Sequence, residues 1–157
     1  MPSETKEVDT SADDIQEQES TEVSGILKVH HIDVCQADCI LIVTPGGKTM
    51  LIDAGNNEDS DAIITYLKQH SVSKIDILIG THPHEDHIGS IDSVIKKLNI
   101  GTVYLPKASS NTKTFEDVLL AIKAKGLKIN QAAGGLSLDL GPEIKAEMIA
   151  PNSFEIV

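Results

Sequence analysis

The run Ile75-Asp76-Ile77-Leu78-Ile79-Gly80-Thr81-His82-Pro83-His84-Glu85-Asp86-His87 decides how the rest of the chain is read. Its first half is a short apolar stretch, rich in β-branched side chains and closed by a glycine, which is the pattern of a fully buried strand. Its second half carries three of the six histidines and an aspartate. The chain leaves the strand at Gly80, so these side chains sit on the loop beyond the strand's carboxyl end, where open α/β sheets bind ligands.

In an extended loop, residues two apart point to the same side. His82 and His84 can therefore offer two imidazoles to one metal ion. Asp86 and His87 fall where Ile88, Ile91, Val94, Ile95 and Leu98 begin a helical stripe. The turn expected there frees them to aim at a second ion. Imidazole suits zinc, iron or manganese, and a carboxylate adds charge that favours a divalent ion. Pro83 fixes its own φ and pushes His82 toward extended geometry, lowering the entropy cost of ordering the loop. The competing reading is a solvated loop with three unconnected histidines, but H-x-H-x-D-H after a buried strand is more specific than that.

The run resembles the metal-binding signature of the metallo-β-lactamase superfamily of hydrolases. A narrower resemblance covers Ile32 to Gly55. Asp33-Val34-Cys35-Gln36-Ala37-Asp38 is similar to the D-V-G-Q-G-D motif of the metal-hydrolase domain of ComEC-type DNA-uptake competence proteins and their stand-alone relatives. Pro45-Gly46-Gly47-Lys48, Leu51-Ile52-Asp53-Ala54-Gly55 and the histidine run follow in that family's order. Cys35 and Ala37 stand where the motif has glycines, and side chains there disfavour the positive φ of a tight turn.

The resemblance implies a four-layer αββα sandwich, of which residues 25–157 are the N-terminal portion: an α/β unit with a mixed sheet and flanking helices. It implies two divalent ions, zinc first, with manganese or iron as alternatives. His82, His84, Asp86 and His87 would be ligands, and Asp86 would also be the catalytic carboxylate. The aspartate matching Asp53 orients the metal loop from behind the ligands, as carboxylates do for ligating histidines. Hydrolysis by a metal-activated hydroxide follows, with phosphodiester bonds, such as those of nucleic acid, as the implied substrate. Thioesters and lactams are the alternatives, because the metal loop does not choose the substrate. The superfamily's remaining ligands come from the second half of the fold. No histidine follows His87, so each ion here is expected to lack ligands. A rival of another class is a non-catalytic half-domain that binds one ion or associates through an exposed apolar sheet face.

The 157 residues suit one domain with a real core. Tryptophan is absent and aromatics make up 3%, so that core must be aliphatic. The net charge is −11, and every one of the thirteen basic residues is lysine. Tight nucleic-acid binding needs a basic stripe, often with arginine forks on phosphate, and this segment has neither. Residues 1–24 are polar and acidic, too poor in apolar surface to offset ordering entropy, and are expected to be disordered. They lack the basic start and apolar centre of a signal peptide. They resemble the tether that follows a removed export or lipid-anchor signal, and equally an acidic cytoplasmic tail, which leaves the compartment open. No stretch reaches the roughly twenty apolar residues of a membrane span.

Strands are expected over 26–34, 39–43, 48–53, 75–80 and 100–105, with shorter ones at 127–130, 136–140 and 144–149. Helices are expected over 59–70, 88–98 and, from a capping-box variant at Thr114, 114–125, with Gly126 as the stop. The hairpin-rich start predicts an antiparallel half-sheet. His30 and His31 point to opposite faces of the first strand, and His70 ends a helix at the surface; none of the three is assigned to the metal site. Cys35 and Cys39 read as two buried free thiols, with a strained disulfide as the alternative in an exported protein.

Overall fold

A computed structural model of the chain describes residues 25–152; the expected disorder of residues 1–24 lies outside them. A six-stranded sheet is built from β1 (Lys28–His31), β2 (Ile40–Val43), β3 (Thr49–Ile52), β4 (Lys74–Ile79), β5 (Asn99–Leu105) and β6 (Ile129–Gln131), adjacent in that order. β1, β2 and β3 pair antiparallel, and β3 to β6 pair parallel. The mixed sheet and its antiparallel start match the sequence reading.

Between the parallel strands run α1 (Ser60–Gln69), the pair α2 (Glu85–Ile88) and α3 (Ile91–Lys97), and α4 (Lys113–Ala124). Each parallel strand lies beside the one before it, always in the same direction. Since crossovers of this kind are right-handed, a steady march places every helix on one face. The packing agrees, because Ile63 and Leu67 of α1, Ile88 of α2, Ile91 and Ile95 of α3, and Val118 and Ile122 of α4 join one cluster with Leu41, Leu51, Leu78 and Val103 of the sheet. This is the aliphatic core expected from the composition.

The opposite face holds a smaller cluster. Met50, Ile77 and Ile79 are buried there beneath Ala132, Leu138, Leu140 and Met148, from the segment that carries the short antiparallel pair β7 (Ser137–Leu138) and β8 (Ala146–Glu147). The apolar face expected to lie open is thus partly covered by the chain's own last described residues. Large apolar side chains stay exposed before and on the outer strand, Ile26 at 74% and Val29 at 51%, at the other edge with Ile129 of β6, and at Ile149.

Two helix boundaries differ from the reading. The helix expected over 88–98 begins earlier and is interrupted, with Gly89 and Ser90 between α2 and α3. Gly89 lies against the chain after β3: an added Cβ would stand 2.5 Å from the Asn56 Cα, with the Asn56 carbonyl carbon and Asn57 nitrogen closer still. The cap of α4 is Thr112, whose Oγ1 accepts from the Phe115 N–H, while Thr114 is buried and its Oγ1 accepts from the Asn57 amide. Gly126 ends that helix at φ +68, as its lack of a Cβ permits.

Candidate metal centre

β4 ends at Ile79 and β3 at Ile52, side by side and parallel, so both deliver the next residues to the same rim of the sheet. From β3 come Asp53, Ala54 and Gly55; from β4 come Gly80, Thr81 and the histidine loop. The two segments are joined through their main chains. The Asp53 N–H donates to the Ile79 carbonyl, Ala54 to His87, Gly89 to Gly55 and Ser90 to Ala54, at 2.7–3.0 Å. The Ser90 hydroxyl donates to the Asn56 carbonyl at 2.6 Å. A third segment, the turn before β2, is tied to both: the Asp38 N–H donates to the Asp86 carbonyl, and the Gly55 N–H to the Asp38 carbonyl.

Within this frame His84 is the extended N-cap of α2, and Asp86 and His87 lie in its only turn. The ligand atoms of His82, His84 and Asp86 all lie within 4.8 Å of one another. Two imidazole nitrogens and a carboxylate oxygen at that separation fit one divalent ion, the donor set that zinc and its neighbours take. His87 joins a different group, with Asp38 and Asp53. The sequence reading sent Asp86 and His87 together to a second ion; here Asp86 lies within reach of His82 and His84 and also of His87. The His87 Nε2 is 3.5 Å from the Asp86 Oδ2, and its ring centroid is 3.7 Å from that of His82.

Asp53 is the buried member of the site, 3% accessible. Its Oδ1 accepts from the Thr81 N–H at 2.7 Å; its Oδ2 accepts from the Thr81 hydroxyl at 2.6 Å and lies 2.9 Å from the His87 Nδ1. It lies beside Thr81 and His87 at the base of the loop, with φ +59, a left-handed backbone that aspartate tolerates better than most residues. Thr81 and Asp38 were quoted in the sequence but not assigned to the site. Only three-dimensional proximity reveals them, as nothing in their spacing marks either one.

The turn at Asp33–Asp38 resolves the question of the missing glycines. Cys35 itself adopts φ +56, and its N–H donates to the Asp33 carboxylate at 3.2 Å. That local bond offsets part of the left-handed strain. Cys35 is exposed rather than buried, and both cysteines are free. Burial, followed by the nearby Asp53 and Asp59 carboxylates, pushes the Cys39 thiol up to about 12, so it stays protonated at neutral pH and is no nucleophile. The remaining histidines lie away from the loop. His30 is half-buried against Tyr66 and His70, its Nδ1 2.9 Å from the Tyr66 hydroxyl, while His31 is exposed.

A family model described as the metallo-beta-lactamase superfamily matches residues 32–155, and the chain belongs to that superfamily. Among curated proteins it is similar to ComE operon protein 3 of Bacillus subtilis (strain 168), at 23% identity over 143 residues, covering 80% of this chain and 18% of that protein. The chain thus spans less than a fifth of that relative's length. Two solved structures resemble it in part. One is a diphosphatase from the PhnP family (22% identity, TM-score 0.41, 66% of this chain and 39% of that one). The other is the metallo-beta-lactamase FIM-1 from Pseudomonas aeruginosa in its mono-zinc form (15% identity, TM-score 0.42, 73% and 49%). The superfamily is one of hydrolases whose fold implies divalent-metal binding, and the clustered donors above are the candidate ligands here. No helix among the described residues is long and apolar enough to cross a membrane.

Proposed function

We propose that this chain supplies the first half of a metal-dependent hydrolase acting on phosphodiester bonds. His82, His84 and Asp86 hold one divalent ion, His87 faces a second position, and Asp53 fixes the loop from behind. The observation that carries the reading is the convergence of the His82, His84 and Asp86 donor atoms at the rim where β4 ends. A divalent ion held there supplies an activated water and a polarised scissile group. The protein's own residues do the rest: Thr81 and Asp53 hold the loop in register, and the buried Ile88 and Ile91 anchor the helical end beneath it.

The choice of phosphodiester rests on the order of motifs shared with ComEC-type domains, from Asp33-Val34-Cys35-Gln36-Ala37-Asp38 to the histidine run. The acidic, arginine-free composition favours a substrate engaged at the rim over a long tract of nucleic acid. A second reading, association through the outer strand, is supported by the exposed Ile26, Leu27 and Val29. The test is metal content with and without chelator, alongside hydrolysis of a simple aryl phosphodiester. In the complete protein we expect chelator to remove both ion and activity, and His84→Ala to abolish hydrolysis while leaving the melting temperature within a few degrees. Activity retained in a folded His84→Ala variant would mean the site is misassigned.

A further inference from the structure

The Asp33–Asp38 motif supplies no side chain to the site in the reading above, yet the structure brings its last residue to the metal loop. We propose that Asp38 is a positioning residue for His87, the outer of two carboxylates that hold one imidazole nitrogen. The inference rests on the metal-loop reading only in naming what His87 is positioned for.

His87 Nδ1 lies 2.9 Å from Asp53 Oδ2 on the buried side and 3.4 Å from Asp38 Oδ2 on the exposed side. Asp53 Oδ2 is already shared, because the Thr81 hydroxyl donates to the same oxygen. Asp38 adds a second carboxylate facing Nδ1 at ion-pair distance, on the side away from Asp53, with the Thr81 hydroxyl oxygen also 3.4 Å from that nitrogen. Asp38 is also held by its main chain, which donates to the Asp86 carbonyl and accepts from the Gly55 N–H. Its carboxylate is thus carried on a fixed backbone attached to the same helical turn as His87. The left-handed Cys35 bends the chain so that residue 38 returns to the rim.

A neutral imidazole carries one proton, and its acceptor partners decide which nitrogen bears it. Nδ1 faces two carboxylates, the hydrogen-bonded Asp53 and Asp38, against the one, Asp86 at 3.5 Å, that faces Nε2; the balance favours the proton on Nδ1 and leaves the Nε2 lone pair toward Asp86. Donation from the other ring nitrogen to a carboxylate is how proteins orient ligating histidines. Among the described residues, Asp53 and Asp38 are the two carboxylates within 4 Å of that nitrogen.

The experiment uses the full chain with ¹⁵N-labelled histidine at neutral pH, comparing wild type with Asp38→Asn, Asp38→Glu and Asp53→Asn. Without metal, the His87 ring shifts should report the Nδ1–H tautomer in wild type. Asp38→Asn should admit a measurable Nε2–H population, and Asp38→Glu should restore the wild-type pattern. Zinc titration should show a threefold to tenfold loss of affinity in Asp38→Asn, with an unchanged melting temperature. An unaltered tautomer in folded Asp38→Asn overturns the proposal, whether or not metal binds. Failure of the wild type to bind zinc, with the tautomer shift intact, would instead remove the metal-loop reading and leave Asp38 as the partner of His87.

Discussion

Replacing Gly89 by alanine sets two effects of opposite sign against each other. The residue is helical, with φ −51 and ψ −47. Helix propensity and reduced freedom of the unfolded chain would therefore make alanine better by up to about 1 kcal/mol. Against this, the new Cβ meets main-chain atoms of Asn56 and Asn57 at 2.5 Å or less. Ordinary contact needs about 3.5–4.0 Å, so a gap of roughly 1 Å must open. No rotamer change can provide it, because the obstructing atoms are backbone. The segment that must move is held by the Gly89 N–H to Gly55 carbonyl bond at 2.8 Å, Ser90 N–H to Ala54 at 3.0 Å and the Ser90 hydroxyl to Asn56 at 2.6 Å. Overpacking costs about 1–3 kcal/mol, and weakening even one of these bonds adds about 1 kcal/mol. The net expectation is destabilisation of about 2–3 kcal/mol, read as a lowered urea midpoint with unchanged slope. A Gly89→Ala protein as stable as wild type, or more so, would refute the close approach of α2 to the chain after β3.

Asp53→Asn should lower zinc affinity by about 10- to 100-fold, the usual effect of removing a carboxylate partner of a ligating histidine, checked by competition with a chromogenic chelator. In native protein one thiol, Cys35, should react with an alkylating reagent at neutral pH, and Cys39 should join it only on unfolding; mass spectrometry of the labelled peptides decides this. Burial works to raise the Asp76 carboxyl, but the Lys74 ammonium at 2.6 Å and the Thr49 N–H at 2.9 Å overcome it and hold it below the usual carboxylate range. A carboxyl depressed on folding contributes stability that is present above its unfolded value near 3.8 and lost as pH falls through the lower folded value. Urea melts at pH 5 and pH 3 should therefore show a smaller acid loss in Asp76→Asn than in wild type. An equal loss would mean that the Lys74–Asp76–Thr49 contact does not couple to folding.

Much of the fold was legible because period and punctuation agreed. Ile75–Ile79 could only be a buried strand, and Gly126 could only stop a helix. The errors fall where tertiary contact overrides local pattern. The stripe from Ile88 to Leu98 reads as one helix, yet docking against Asn56 demands the break at Gly89–Ser90. Thr114 looked like a cap, yet Thr112 caps and Thr114 turns inward to Asn57. In the site, His82, His84, Asp86 and His87 announced themselves by spacing, and Asp53 through the family resemblance. The place of Asp86 between His82, His84 and His87 did not, because it depends on α2 beginning at Glu85, one turn earlier than the apolar stripe implies. Asp38 was hidden for a different reason: 49 positions separate it from His87, and a turn through Cys35 closes that distance.

Many of the joints between the three rim segments are made by amide and carbonyl groups alone. Such joints do not read side chains. Away from buried core positions such as Leu41, Leu51, Ala54 and Ile88, a saturation scan of residues 36–57 and 80–90 should therefore look sparse, with most exchanges tolerated. Intolerance should gather at a few points of two kinds: Gly89, where any added atom is one too many, and the acids and imidazoles whose charge no isostere reproduces. The rim would then act as a template that withstands drift in its composition while keeping its outline.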